Sequence, residues 1–140
     1  MRGELSRGLL DTNILILWQS IEPAALPEEM AISAVTLAEL SAGVHLVSDS
    51  AASERARRLD VLQRAEHEFD PIPFGADAAR AFGRLSAAVR ETGRTPRRRT
   101  ADLMIAAVAA AEGLPLYTAN PDDFRGLEET VEVIPVPRPA

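Results

Sequence analysis

A short strand followed at once by a helix is predicted by the stretch Gly8-Leu9-Leu10-Asp11-Thr12-Asn13-Ile14-Leu15-Ile16. Its first three residues are an apolar run typical of a buried strand, and the apolar residues from Ile14 onward favour a helix. A strand that leads into a helix is the first part of a β-α-β unit, from which parallel sheets are built. The stretch therefore predicts an α/β protein with an acidic residue, Asp11, at the carboxyl end of its first strand.

Strand-like and helical segments alternate along the rest of the chain. Further strands are predicted at residues 30–32, 114–118 and 131–134, and an edge strand at 69–74, which contains Pro71 and Pro73. Helices are predicted at residues 14–19, 36–47, 52–66, 77–91 and 100–112. The alternation predicts one α/β domain over residues 1–140, with a central parallel sheet of four to five short strands and helices on both faces.

Two of these helices and the end of the chain have further distinguishing features. The helix at 52–66 carries a narrow apolar stripe of Ala56, Leu59 and Leu62, which predicts a surface position. The helix at 100–112 is almost wholly apolar, which predicts burial, and Gly113 is placed to end it. The proline-rich segment 135–140 is expected to be a disordered tail.

The composition excludes several classes of protein. The chain has 140 residues, 46% of them hydrophobic and 26% charged, as in an ordinary globular domain. Without cysteine it has no disulfide, no thiolate metal site and no cysteine nucleophile. The longest apolar run has nine residues, far fewer than the ~20 that cross a bilayer, and the charged N-terminus is unlike a signal peptide. We therefore expect a cytoplasmic protein with no membrane segment.

The charged residues give an unusual balance. The net charge is −6, which argues against binding nucleic acid by bulk attraction, yet all fifteen basic residues are arginine. The guanidinium fork suits phosphate oxygens, and arginines are clustered at residues 55–58 and 94–99. Each cluster is interpreted either as a phosphate-binding group or as a solvated helix face or loop.

Four acidic residues occupy the same structural context, next to the carboxyl end of a strand or the start of a helix. They are Asp11, Glu39, Asp102 and Asp123. Each has a structural explanation when taken alone: a helix cap, a capping box in which Glu39 reaches back to Thr36, a first-turn charge and a turn.

Taken together, the four carboxylates point to a metal site. In a parallel sheet, the carboxyl ends of the strands lie along one edge, where ligands bind. If the strand order brings these strands together, the carboxylates meet there and repel each other unless a cation neutralises them. Magnesium prefers oxygen ligands, and such ions activate water and stabilise charge on a phosphodiester. The pattern therefore predicts metal-dependent hydrolysis of a phosphate ester.

The same residues lie in four motifs that resemble those of the PIN-domain family, especially its VapC-like toxin nucleases. The motifs are residues 9–13 (LLDTN), 33–40 (SAVTLAEL), 102–107 (DLMIAA) and 118–124 (TANPDDF). The resemblance runs from about Leu9 to Ile134 in the family's order and spacing. It implies a PIN-like fold and a magnesium-dependent endoribonuclease that leaves a 5′ phosphate and a 3′ hydroxyl.

The resemblance also assigns roles to individual residues. Asp11, Glu39, Asp102 and Asp123 would bind Mg²⁺ or Mn²⁺ and position the attacking water, although Asp122 could take the place of Asp123. The expected supporting residues, which would orient the carboxylates or metal-bound waters, are Thr12, Asn13, Thr118 and Asn120. The expected RNA contacts, which could instead meet an antitoxin, are Arg97, Arg98 and Arg99.

The resemblance further implies partners. A VapC-like toxin would bind an RNA substrate and a small cognate antitoxin protein, and it would form a homodimer. The helices at 36–47 and 52–66 are expected to form the walls of the antitoxin groove.

Other enzyme classes fit the sequence less well. Response-regulator receivers and haloacid-dehalogenase-like phosphatases use a lysine, and a P-loop ends in Gly-Lys, but the chain has no lysine. No Gly-x-Gly-x-x-Gly motif supports a dinucleotide site, and His45 and His67 are unsuited to a histidine site. The alternative that stays open is a PIN-like module that binds RNA or a protein without cutting.

Overall fold

The computed structural model describes residues 5–95 and 99–138. Within them, four strands form one parallel sheet in the order β2-β1-β3-β4. The strands are β1 (Arg7–Leu10), β2 (Glu29–Ala31), β3 (Leu116–Thr118) and β4 (Val133–Pro135). The first strand of the chain is thus central, and its neighbours come from opposite ends of the sequence.

Helices cover both faces of the sheet, as predicted. They are α1 (Thr12–Ile16), α2 (Ala34–His45), α3 (Ala52–Glu68), α4 (Ala76–Glu91) and α5 (Thr100–Glu112). None of the helices in the described residues has the length and apolar character needed to span a bilayer.

The core has two halves because successive strand residues point to opposite faces of a sheet. Leu9 belongs to a first core cluster that contains the buried residues of α4 and α5. Leu10 belongs to a second core cluster with buried residues of α1, α2 and α3. Their partners in β3, Leu116 and Tyr117, divide in the same way. The sheet is therefore enclosed on both faces, and its carboxyl edge is the place where polar side chains collect.

Gly8 allows the Tyr117 ring to lie directly over β1. A Cβ atom at residue 8 would come 2.3 Å from Cε1 of Tyr117 and 3.1 Å from Cγ of Pro27. We expect Gly8→Ala to lower the free energy of unfolding by about 1–3 kcal/mol, because the ring must move in a packed core. Urea denaturation measures the change.

Gly83 provides a matched control for this substitution. It lies in α4, and no atom is within 4 Å of the Cβ that alanine would add. Gly83→Ala should therefore stabilise the protein by about 0.5–1 kcal/mol through helix propensity. Equal effects of the two substitutions would contradict the close approach of Tyr117 to Gly8.

The edge strand predicted at residues 69–74 is wrong. Only one bridge forms there, between Ser33 and Ile72, with Ala34 N–H donating to Ile72 O at 2.8 Å and Ile72 N–H donating to Ile32 O at 2.9 Å. Pro71 and Pro73 have no N–H to continue a ladder.

Several predicted boundaries shift for identifiable reasons. Gly113 ends α5 with a φ of 67°, as predicted, but Leu114 N–H donates back to Ala109 O at 2.9 Å, so β3 begins only at Leu116. The segment predicted as one helix at 14–19 divides into α1 and a 3-10 helix, Trp18–Ser20, which is closed by Ser20 N–H donating to Leu17 O.

The apolar stripe predicted for α3 is also wrong in part. Ala56 and Leu59 are exposed, whereas Val61, Leu62 and Ala65 pack in the second core cluster. The helix contacts the core through its second half, where apolar residues recur at different spacings from those of the predicted stripe.

Residues 135–138 of the segment predicted to be a disordered tail make contacts with the sheet and with the turn after β3. Pro135 is the last residue of β4, and Val136 N–H donates to Thr118 O at 2.8 Å. The Val136 side chain is buried in the second core cluster, so one apolar residue among prolines holds the segment. Residues 139 and 140 lie outside the described residues.

Candidate active site

Asp11 occupies the centre of the carboxyl edge because it follows the central strand and caps α1. Its side chain is only 4% exposed. Thr12 N–H donates to Oδ1 at 2.8 Å, and the Thr118 hydroxyl donates to Oδ2 at 2.8 Å. Both carboxylate oxygens are thus held by neighbouring groups, one from α1 and one from β3.

The Thr118 hydroxyl is fixed in the direction that serves Asp11. It accepts from Asn120 N–H at 2.9 Å and from Asn13 Nδ2 at 3.4 Å, which leaves its one proton for Asp11. Asn13 also accepts Ala119 N–H through Oδ1 at 3.2 Å. The structure therefore joins three of the expected supporting residues in one network that ties the end of β3 to the start of α1.

Glu39 reaches this edge from α2 and is held by Thr12. The Thr12 hydroxyl lies 2.5 Å from Oε1 of Glu39 and 3.0 Å from the hydroxyl of Thr36. The capping-box interpretation of Glu39 is wrong, because Ser33 caps α2 and accepts Thr36 N–H at 3.1 Å. Thr36 was not predicted to belong to the site. It is a polar residue in the first turn of a largely apolar helix, and the structure shows that it is buried.

Asp102 lies in the first turn of α5. Its pKa responds to the other three carboxylates, so it lies near them. Burial first, then repulsion from Asp11, Asp123 and Glu39, raises the pKa of Asp102 to about 7, while Arg99 opposes the rise. Burial raises the pKa of Asp11 to about 6, against the lowering effect of its two hydrogen bonds. Asp11 and Asp102 therefore both lie close enough to Glu39 and Asp123 to be repelled by them.

Asp123, not Asp122, joins this group. Both lie in the 3-10 helix Pro121–Phe124. Oδ1 of Asp123 accepts from Nη1 of Arg99 at 2.5 Å, and Oδ2 accepts from Nδ2 of Asn120 at 2.9 Å. The exposed side chain of Asp122 instead pairs with Arg125 at 2.9 Å.

The donor set at this edge is suited to a hard divalent cation. All four groups are carboxylates, and mutual repulsion contributes to the raised pKa values of Asp11 and Asp102. In residues 5–95 and 99–138, no group of three or more His, Asp or Glu side chains is arranged to hold a metal ion. Magnesium does not need three protein ligands, because it commonly uses one or two carboxylates together with water and substrate phosphate. The residues present fit such an ion.

The arginines of the two clusters make different contacts. Arg97 and Arg98 lie outside the described residues, and Arg99 is engaged with Asp123. Arg58 donates to Gly43 O at 2.9 Å in the last turn of α2, and Arg55 donates to Val47 O at 2.7 Å just after the helix ends. The first arginine cluster thus has a structural contact with α2 in addition to its ion pairs.

Fold and site together define an α/β protein whose parallel sheet gathers carboxylates at its carboxyl edge. The chain belongs to the PIN domain family, whose profile matches residues 8–129. The predicted family and fold are therefore confirmed.

Known relatives agree with this assignment. The chain is 40% identical over 134 residues to Ribonuclease VapC5 of Mycobacterium tuberculosis, covering 92% of this chain and 95% of the relative. It is 38% identical over 108 residues to Ribonuclease VapC8 of the same species, covering 76% of this chain and 94% of the relative. The crystal structure of VapBC-5, a VapBC toxin-antitoxin system from M. tuberculosis, superimposes with a TM-score of 0.81 at 38% identity, covering 94% of this chain and 99% of that chain.

Proposed function

We propose that this chain is an endoribonuclease and the toxin of a toxin–antitoxin pair. The observation that carries the proposal is the gathering of Asp11, Glu39, Asp102 and Asp123 at the carboxyl edge of a PIN domain. The names of its relatives, ribonucleases of the VapC group, support the same reaction.

Asp11, Glu39, Asp102 and Asp123 are proposed to bind Mg²⁺, with Mn²⁺ as a substitute, one or two of them directly and the others through metal-bound water. Such an ion would lower the pKa of bound water and stabilise charge on the phosphodiester. Hydrolysis joins the water oxygen to phosphorus and breaks one P–O ester bond, leaving a 5′ phosphate and a 3′ hydroxyl.

In this proposal, hydrogen bonds from neighbouring residues hold three of the four carboxylates in fixed positions. Thr118 and the Thr12 N–H hold Asp11, and the Thr12 hydroxyl holds Glu39. Asn120 and Arg99 hold the two oxygens of Asp123. Carboxylates oriented before substrate binding lose little freedom in the reaction, which is the basis of preorganised sites.

A small antitoxin protein is proposed to bind the cleft between α1, α2 and α3. The cleft has a volume of about 750 Å³ and includes Leu15, Trp18 and Val61 among its lining residues. Thr12 and Glu39 also line it, so an occupant would reach Glu39, one of the four carboxylates. The match to a VapBC structure supports an antitoxin partner. We further propose a homodimer that acts in the cytoplasm, where an RNA substrate is present.

The two neighbouring aspartates Asp122 and Asp123 provide the test. We expect Asp123→Asn to lower the rate of RNA cleavage by more than about 100-fold, because it removes a proposed metal ligand. Asp122→Asn should stay within about twofold of wild type, because an exposed ion pair contributes little. Purified protein freed of any partner would be incubated with tRNA, rRNA and mRNA, with Mg²⁺ or with EDTA.

Two outcomes would contradict the assignment. Equal losses of cleavage in the two variants would contradict the assignment of Asp123 as the fourth ligand. Circular dichroism would show whether such losses come instead from a folding defect. No magnesium-dependent cleavage of a wide RNA panel by the wild type would favour a PIN-like module that binds without cutting.

A further inference from the structure

Arg94, from the second arginine cluster, and Arg138, from the proline-rich tail, bind the backbone of the fourth motif. Nη1 of Arg94 donates to Asp122 O at 3.0 Å, and Nε of Arg138 donates to Ala119 O at 3.2 Å. The two carbonyl groups are three residues apart, which limits their separation to about 10 Å. Arg94 and Arg138 are therefore held to one short segment, the segment that also carries Asp123.

These two cations differ from most of the other arginines in what they bind. Among the described residues, the arginines that pair with a carboxylate are Arg7, Arg55, Arg57, Arg58, Arg64, Arg80, Arg99 and Arg125. Arg94 and Arg138 donate to neutral carbonyl groups, and neither is among the arginines of the described residues that form an ion pair. The charge of each is therefore not offset by a paired carboxylate, and each has further N–H groups to donate.

The fold places both arginines by specific contacts. Arg138 is brought back to the sheet because Val136 N–H donates to Thr118 O at 2.8 Å and the Val136 side chain is buried. Arg94 follows α4, where Thr92 packs against Gly126; a Cβ atom on that glycine would lie 2.8 Å from Thr92 Cγ2. Two parts of the chain that are distant in sequence thus each place an arginine side chain at the same edge of the sheet.

An RNA strand needs such local cations here. The protein has a net charge of −6, and the proposed site itself contains four carboxylates, so the surrounding field repels a polyanion. Arginine donors in a planar fork match two oxygens of a phosphate group, and a guanidinium already fixed by a carbonyl loses less freedom on binding.

We infer that Arg94 and Arg138 form an additional binding site for the phosphodiester backbone of the RNA strand beside the fourth motif. The inference rests on the proposed function, since it names residues that hold the substrate of that reaction. It adds the tail arginine, Arg138, and the loop arginine, Arg94, to a site made of four carboxylates and the residues that hold them, Arg99 among them.

The test measures binding separately from cleavage. Binding of a labelled single-stranded oligouridine would be followed by fluorescence anisotropy at several salt concentrations, in an Asp102→Asn background that does not cut. Arg94→Gln and Arg138→Gln should each weaken binding about 3- to 10-fold at low salt. Each should also reduce the slope of log K against log salt by about 0.7, the contribution of one phosphate contact on a single strand.

Arg84→Gln is the matched control. Arg84 lies exposed in the middle of α4, and no described carboxylate pairs with it. Arg84→Gln removes one positive charge, as each test substitution does, but from the middle of α4 rather than from beside the fourth motif. It should therefore leave the slope of log K against log salt unchanged. A slope unaltered by Arg94→Gln and Arg138→Gln, or an equal change with Arg84→Gln, would overturn the inference.

The failure of this inference is distinguishable from failure of the proposed function. Cleavage by the wild-type chain with unaltered slopes in the variants would overturn only the arginine site. Reduced slopes without any cleavage by the wild type would support the arginine site and contradict the nuclease. Unaltered slopes together with weaker binding of a co-purified partner protein would overturn the inference in favour of a protein contact.

Discussion

Asp102→Asn is expected to lower magnesium-dependent RNA cleavage about 1,000-fold or more, which corresponds to about 4 kcal/mol of transition-state stabilisation. Asparagine nearly preserves the volume of the side chain but removes one of the four negative charges proposed to bind the metal. Turnover by the variant at the wild-type rate would contradict the role assigned to Asp102.

The same substitution should stabilise the metal-free protein. Burial and repulsion raise the pKa of Asp102 from 3.8 to about 7 in the folded protein. The folded state therefore binds the proton more tightly than the unfolded state, and stability falls as pH rises from about 4 to about 7. Above pH 7 the ionised carboxylate imposes its whole penalty, which Asp102→Asn removes.

The expected size follows from two opposing contributions. A rise of about three pKa units corresponds to about 4 kcal/mol, which partial exposure of Asp102 reduces to about 1–2 kcal/mol through solvent screening. Loss of a negative charge in the first turn of α5 costs about 0.3–1 kcal/mol. The net gain at pH 8 in EDTA is then about 1 kcal/mol, or roughly 3 °C in Tm.

Thermal unfolding at pH 4 and pH 8 measures this effect. The variant should exceed the wild type at pH 8 and match it more closely at pH 4. Asp77→Asn is the matched control, because Asp77 lies in the first turn of α4 with an exposed side chain and should show no gain at either pH. A variant that is less stable than wild type at pH 8 would exclude repulsion as the dominant effect at Asp102.

Phe124→Ala is expected to lower the free energy of unfolding by about 3–5 kcal/mol. The Phe124 ring is fully buried in the first core cluster and ends the 3-10 helix that carries Asp123. A loss of this size is a large part of the stability of a typical domain, about 5–15 kcal/mol. Because the ring anchors the turn, the carboxylate of Asp123 should also lose its fixed position.

Urea denaturation and cleavage assays together test this prediction, with Phe124→Leu as the control. Leucine refills most of the volume, so it should cost about 1–2 kcal/mol and retain most of the cleavage rate. If Phe124→Ala cost less than about 1 kcal/mol, the ring could not be the anchor of the turn.

Much of the fold could be predicted from the sequence because the spacing of apolar residues and the positions of glycine and proline indicated the same elements. The strand before Asp11, the apolar helix closed by Gly113 and the amphipathic α4 were predicted within a few residues. The segment at 69–74 was misjudged because its apolar residues suggested a strand while Pro71 and Pro73 remove the donors that a ladder needs.

The sequence predicted that the four acids lie at strand ends and helix starts, but it did not predict how their side chains are oriented. A strand end or helix start determines where Asp11 and Asp102 lie, whereas the choice between Asp122 and Asp123 depends on which faces Arg99 across the 3-10 turn. The contact of Arg138 with Ala119 O was not predicted, because a proline-rich tail suggested disorder and the burial of the single residue Val136 leaves little trace in composition.

The central position of β1 has a consequence for the synthesis of this protein. Asp11 and the Thr118 hydroxyl that holds it are 107 residues apart in the chain. At about 5–20 residues per second, a ribosome adds Thr118 about 5–20 s after Asp11. A nascent chain cannot assemble the carboxylate cluster before β3 has left the exit tunnel, so chains that terminate earlier lack a competent site.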